Sequence, residues 1–321
     1  MIARLVGSEM CIRDRIELKA DNLLDNTYIF FFSDHGGPLP RGKRSHYESG
    51  LKVPLIIRDP YVKSKIFVEE PVSFVDFAPT ILSLAGISIP EHFQGIPFLG
   101  DKKSENPRDY IFGSGDRFDE TYDRVRSVIS DEFIYVKNYH TDRPAYKDVL
   151  YRKNIDMTNE MLMLYNENKL NSDQKYWYRQ TKTEEEFYRR SDDPYSLKNL
   201  ITDPNYRKEI KVHRQALKNW QNDINDLGDI PEKSLLSIMW PKGVQPKTLK
   251  PEVFVSNNVI TVKSRTLGSS IGYILSDEDF DPSLDDGWKL YHEPVIVNKR
   301  YIYVLSTRLG FEDSEIIKIK L

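Results

Sequence analysis

Three side chains of different chemistry share one short segment, SDHGGPLPRGK: Asp34, His35 and Lys43. A carboxylate supplies hard oxygen for a divalent cation, an imidazole supplies a nitrogen ligand or a proton, and an ammonium group offers fixed charge to an anionic oxygen. On one strand-to-loop turn they suggest a metal and an anion handled together. Taken singly, Asp34 also suits a turn cap, His35 a solvated loop and Lys43 the surface. Their common placement tilts the reading. Residues 28–32, YIFFF, read as a strand that stops at Ser33, and open α/β sheets bind ligands beyond the carboxyl ends of their strands. Gly36 and Gly37 then let the backbone turn tightly around whatever sits there.

The elements that must hold this turn follow from periodicity. Residues 16–24 read as the end of an amphipathic helix and 53–57 as a second apolar strand; both strands suit a sheet covered on both faces, and their long connection argues against a simple hairpin. Residues 74–85 read as a helix capped by Asp76 and ended by Gly86, burying Phe77, Ile81, Leu84 and Ala85. Residues 110–113 are a strand, and 125–130 and 133–139 alternate as a hairpin. Residues 146–190 suggest short helices and loops. A helix capped by Thr202 and Asp203 runs through Ile224, with Ile210, Ala216, Leu217, Trp220 and Ile224 inward. Proline-rich residues 232–248 read as a linker, and 249–321 as short alternating strands of a small all-β module.

With 321 residues there is room for two domains. Lys and Arg (46) nearly balance Asp and Glu (49), so neither nucleic acid nor an anionic membrane is the expected partner, and any anion site must be local. No apolar run is long enough to span a bilayer. A single cysteine, Cys11, excludes an intrachain disulfide or a cysteine metal cluster. Residues 1–15 stand apart: LVGSEMCIRDR has no clear periodicity and reads like a translated sequencing adapter, so Met1 is not expected to be the native start. A short disordered leader is the alternative.

The longer pattern DNTYIFFFSDHGGPLPRGKRSHYESGLKVPLIIR resembles the distal metal-site segment of the type I sulfatases, of the alkaline-phosphatase-like superfamily. The resemblance continues through FVDFAPTILSLAG, GSGDRFDETYDRVRS and DPYSLKNLITDP, and is nearest the heparan N-sulfatase (N-sulfoglucosamine sulfohydrolase) group. It implies an α/β fold, with residues 16–231 forming the C-terminal part of a sulfatase domain. It also implies a calcium ion held by Asp34, with His35 beside metal and nucleophile, and a sulfate contact from Lys43. The implied partner is a sulfated carbohydrate, such as a glycosaminoglycan; the implied location is exported, periplasmic, extracellular or lysosomal. Residues 249–321 resemble the chitobiase C-terminal type of β-sandwich.

One departure matters. The formylglycine nucleophile of this family arises in a Cys/Ser-x-Pro-x-Arg motif, which the sequence lacks; Cys11 is followed by Ile-Arg-Asp-Arg, without the proline. The family's N-terminal pair of metal-binding aspartates is missing too. These residues alone are therefore expected to be inactive. A metal-dependent phosphoesterase of the same superfamily, or a non-catalytic carbohydrate-binding remnant, are the alternatives. Around the turn, Arg117, Asp119, Asp123 and Arg126 could reach a sulfated sugar or brace strand ends as ion pairs. His140 and Arg143 suit a surface loop, Glu48 a brace for the Lys43 loop, and the four tryptophans packing more than sugar stacking. Asp277, Asp279, Asp281, Asp285 and Asp286 form an acidic stretch without EF-hand spacing, best read as solvated.

Overall fold

A computed structural model describes residues 3–283 and 286–321, as a mixed α/β protein. The chain divides into two compact units, Met1–Asp226 and Leu227–Leu321.

The first unit begins with α1 (Ala3–Ala20), which runs through the segment expected to lack periodicity. Ile12 and Ile16 on it are exposed. β1 (Ile29–Phe32) follows, then the Ser33–Ser45 loop, α2 (Glu48–Leu51) and β2 (Leu55–Arg58). β1 and β2 pair antiparallel, Ile29 opposite Arg58 and Phe32 opposite Leu55. A sheet covered on both faces is not what forms here. Phe30 and Phe32 alternate onto one face and contact Phe77 and Phe74, while Phe31 and Ile56 are exposed.

α3 (Phe77–Leu84) is preceded by a 3₁₀ turn, Phe74–Asp76. Its buried side is Pro79, Thr80 and Ser83, with Ile81 exposed, so the apolar face expected from spacing is not the inner one. Polar bonding decides this. Buried Asp76 accepts from the N–H groups of Ser73 (2.8 Å) and Ile96 (2.7 Å) and from the Arg108 guanidinium, and the Thr80 hydroxyl accepts from Phe98 N–H (3.1 Å). The segment after the helix is thereby laced onto its polar side.

The main sheet of the unit comprises β3 (Ile111–Phe118), β4 (Thr121–Ile129), β5 (Phe133–Asn138) and β6 (Glu185–Arg189), antiparallel in that order. The β4–β5 hairpin turns without a favoured dipeptide because Ser130 closes it: its N–H donates to the Phe133 carbonyl (2.9 Å) and its hydroxyl accepts from Phe133 N–H (3.1 Å). Alternation feeds two cores. On one face Val125, Ile134, Val136 and Tyr188 pack with Tyr47, Trp177 and Tyr178; on the other Val128, Phe133, Tyr135 and Phe187 pack with Ile210 and Leu217. The first face is covered with help from α4 (Asp156–Asn166) and α5 (Ser172–Trp177), the second by α6 (Arg207–Asp223). Trp220 of α6 stacks flat on Phe112, ring centres 4.9 Å apart. His213, also on α6, is buried and bonded to the Ser130 hydroxyl (2.9 Å) and the Glu209 carbonyl (2.8 Å).

The second unit opens with α7 (Glu232–Met239), where a structureless linker was expected. Pro231 does not prevent this, because it precedes the first helical residue, where no intrahelical N–H is required. Leu236, Ile238 and Met239 on this helix are exposed. Among the described residues seven strands follow: β7 (Glu252–Ser256), β8 (Val259–Lys263), β9 (Ser270–Ser276), β10 (Lys289–Leu290), β11 (Val295–Ile296), β12 (Tyr301–Thr307) and β13 (Ile317–Lys320). They form sheets β10-β9-β12-β13 and β11-β8-β7, whose inner faces meet at Ile260, Val262, Ile302 and Val304.

Candidate functional site

β1 delivers Ser33, Asp34 and His35 to its carboxyl end, and the loop beyond is pinned from within. The Ser33 hydroxyl donates to the His35 carbonyl (2.7 Å), Gly36 N–H to the Gly50 carbonyl (2.9 Å) and Lys43 N–H to the Gly37 carbonyl (2.8 Å). The last bond closes the loop, returning the Lys43 backbone to the neighbourhood of His35. Glycine is required for this. A Cβ at Gly36 would stand 2.0 Å from the Ser49 carbonyl oxygen, and one at Gly42 would stand 2.1 Å from that of Gly37.

The Asp34 side chain is 80% exposed, and His35 Nε2 lies 3.3 Å from its Oδ2. The other ring nitrogen, Nδ1, lies 2.8 Å from the Gly36 carbonyl oxygen. A carbonyl only accepts, so in the neutral ring Nδ1 carries the proton and Nε2 turns a lone pair toward the carboxylate. Two facing lone pairs repel unless a proton or a cation lies between them. The pair therefore fits as two donors to a divalent cation such as calcium, although imidazole is the less natural of the two for a hard ion. No group of three or more His, Cys, Asp or Glu among the described residues is arranged to hold a metal, so further donors do not come from such a cluster there.

Lys43 is half-buried, its Nζ 5.2 Å from the centre of the Tyr151 ring. Arg44 lies 5.0 Å from the same ring and pairs with Asp119, which brings the β3–β4 turn against the Lys43 loop. Arg117, at that turn, reaches the carbonyls of Asp119 (3.5 Å) and Glu120 (3.4 Å). Arg44 and Asp119 thus tie the β3–β4 turn to the loop that carries Lys43, while Asp34 and His35 pair with each other at that loop's start.

Arg126 takes the second of its two expected roles, the ion-pair brace rather than the sugar contact: it is 2% exposed and its guanidinium is taken up by Asp226 (2.8 Å), Asp116 (3.0 Å) and the Val125 carbonyl (3.0 Å). A bulge in β3 between Gly115 and Arg117 accompanies the turn of Asp116 toward it. Next to this network Asp123, fully buried, holds both Lys147 and Lys182 on one carboxylate oxygen. His46 is buried among these charges. Loss of water and then the Arg126 charge push its imidazole down to about 4, so it is neutral at pH 7. Burial likewise pushes the Lys147 ammonium down to about 8 despite its bond to Asp123.

Sequence reasoning named Asp123 and Arg126 and allowed them an ion-pair role, but missed their partners His46, Lys147, Lys182 and Asp226. The signal for the cluster was Gly113-Ser114-Gly115 inside a strand, since interior glycines mark a close approach: a Cβ at Gly115 would stand 2.7 Å from His46 Nε2. Of the loop's anchors it foresaw Glu48 alone, without its partner. Arg41 donates to the carbonyls of Tyr195 (2.6 Å) and Ser196 (3.1 Å), Arg152 donates to the Lys43 carbonyl (2.8 Å), and Glu48 accepts from Arg190 (3.0 Å). Arg143 is spent on the Tyr122 carbonyl, and His140 lies edge-on to the Tyr122 ring. In the second unit Asp277 pairs with Lys299 (2.6 Å) and Asp279 with Lys318, while Asp285 lies outside the described residues. No helix among the described residues is long and apolar enough to cross a membrane.

Residues 16–87 match the model of a family described as Sulfatase. An ulvan-active sulfatase of Formosa agariphila is 39% identical over 307 residues, covering 94% of this chain and 51% of the relative. A human N-sulphoglucosamine sulphohydrolase is 28% identical over 233 residues, covering 65% of this chain and 44% of the relative. The chain spans about half the length of these two relatives. A solved structure of a protein in complex with its substrate D-glucosamine-2-N,6-O-disulfate is 22% identical with a TM-score of 0.47, over 68% of this chain and 39% of that one.

Proposed function

We propose, from the match of residues 16–87 to the family described as Sulfatase, that the Asp34–His35–Lys43 turn is one wall of a sulfate-ester or sulfamate hydrolase pocket for a sulfated carbohydrate. The formylglycine nucleophile and the remaining metal ligands would come from residues other than these 321. The observation that carries the reading is the Asp34–His35 pair at the end of β1, an exposed carboxylate with an imidazole nitrogen 3.3 Å away, at the start of the loop that the Lys43 N–H to Gly37 carbonyl bond (2.8 Å) closes.

Each residue's part follows from its chemistry. Asp34 and the unprotonated Nε2 of His35 would hold a calcium ion, which when bound draws charge from the sulfuryl oxygens. Lys43 offsets charge on the same oxygens as they develop it, and the ring of Tyr151 beside it limits where the ammonium can swing. Asp119 sets the loop through Arg44. As to substrate, the match to the ulvan-active relative extends over 94% of the chain and so enters both units, which favours a sulfated polysaccharide.

Calcium titration of the intact chain, followed by amide NMR, tests this. Shifts should concentrate at residues 34–37 and 43, and Asp34→Asn should remove them. Shifts confined to the acidic stretch of the second unit, or indifferent to Asp34→Asn, would discard the assignment.

A further inference from the structure

Beneath residues 38–40 of the loop lies a small cavity of about 10 Å³, room for the centre of one water-sized particle. Arg152, Tyr146, Trp177 and Tyr178 line it. Each of these four carries a buried polar atom without a hydrogen-bond partner: Arg152 Nη1, Tyr146 Oη, Trp177 Nε1 and Tyr178 Oη. Such groups are normally satisfied, and four bordering one cavity imply something inside it. Arg152, Trp177 and Tyr178 are 5%, 4% and 2% exposed, so bulk water does not satisfy them.

The character of the occupant follows from the donors. A guanidinium N–H and an indole N–H only donate, and the two phenols stay protonated near neutral pH because burial pushes Tyr178 up to about 12 and raises Tyr146 as well. A water molecule could meet these bonds, but it would leave the buried Arg152 charge without a counter-charge. Among its recorded contacts, Nη2 meets the uncharged Lys43 carbonyl (2.8 Å), and the guanidinium lies 5.6 and 5.4 Å from the centres of the Tyr146 and Trp177 rings. Asp119, a carboxylate close enough to act on that charge, is engaged by Arg44. A buried charge is costly unless it is paired. Room for the centre of a single water-sized particle suits a monatomic ion.

We propose that this cavity binds one monatomic anion of the halide class, chloride in ordinary solution, and that the ion fastens the loop carrying Lys43 through Arg152. The site is distinct from the Asp34–His35 pair and does not rest on the sulfatase reading. Long-wavelength anomalous diffraction from crystals of the intact chain grown in sodium chloride is the direct test. A chloride peak within hydrogen-bond distance of Arg152 Nη1 and Trp177 Nε1 is expected; water-level density without anomalous signal overturns the proposal. In solution, melting temperature should rise and saturate with chloride but not with gluconate at equal ionic strength. Tyr178→Phe, which removes one donor and keeps the ring, should weaken the apparent chloride affinity about two- to tenfold. Equal responses to both salts would likewise overturn the proposal.

Discussion

Asp34 and Asp123 are both carboxylates within one unit, and they are held in opposite ways. Asp34 stands 80% exposed at a strand end, with His35 Nε2 3.3 Å from its carboxylate. Asp123 is fully buried on β4 with two ammonium groups on one oxygen. Position near a pocket does not distinguish a working carboxylate from a structural one, but the supply of counter-charge does. Where the protein provides its own cations the charge is already balanced; where it provides none, an external cation has a place. The acidic stretch of the second unit obeys the same rule, since Lys299 and Lys318 occupy Asp277 and Asp279.

Four substitutions or conditions sharpen that contrast, in falling order of effect. Asp123→Ala strands Lys147 and Lys182 without their shared partner, and a loss of roughly 3–5 kcal/mol is expected in urea unfolding of the first unit. A loss below about 1 kcal/mol would mean the lysines find other partners.

Acid comes next. His46 titrates at about 4 in the fold and near 6.5 when unfolded, so between those values the unfolded chain binds more protons. The corresponding stability is whole above about pH 6.5 and is lost as pH falls toward 4, amounting to ~3 kcal/mol. His46→Gln, which cannot titrate, should flatten this part of the stability–pH curve; an unchanged slope would assign the acid sensitivity elsewhere.

Gly36→Ala should cost about 1–3 kcal/mol, because its Cβ must displace the Ser49 carbonyl, and it should weaken calcium binding at Asp34 in a titration. Asp34→Ala should change stability by no more than about 0.5 kcal/mol, since the group is exposed and bonded to little. A large loss there would erase the contrast with Asp123.

Much of the architecture was legible because it was local. The strand at 28–32, the β4–β5 hairpin, helix 207–223 and the alternating runs after residue 249 each carry their own period and punctuation. What escaped was set by distant partners. Burial of Thr80 and Ser83 instead of Ile81 depends on Ile96, Phe98 and Lys102 reaching back to α3, and no window around the helix contains that information. β6 lies in a segment read as loop because Glu185 and Glu186 look exposed; Glu186 is in fact fully buried, holding Tyr47, Tyr188, Asn138 and Arg179. For the site, residue type and spacing singled out Asp34, His35 and Lys43, but they could not separate Asp119 from Arg126. Alternation along β4 puts Arg126 on the same face as Val128, under α6, but an arginine is long enough to carry its charge to solvent from there; the bulge at Asp116 and the approach of Asp226 explain why that charge is internal.

The flat stack of Trp220 on Phe112 has an optical consequence. Half-buried between α6 and the sheet, this indole passes fully into water only when that helix undocks. Trp177, 4% exposed, is held within the same unit, whereas Trp240 in the second unit is 41% exposed before any unfolding. Emission wavelength is therefore a built-in gauge weighted toward the first unit, with the half-buried Trp288 as the contribution of the β-sandwich.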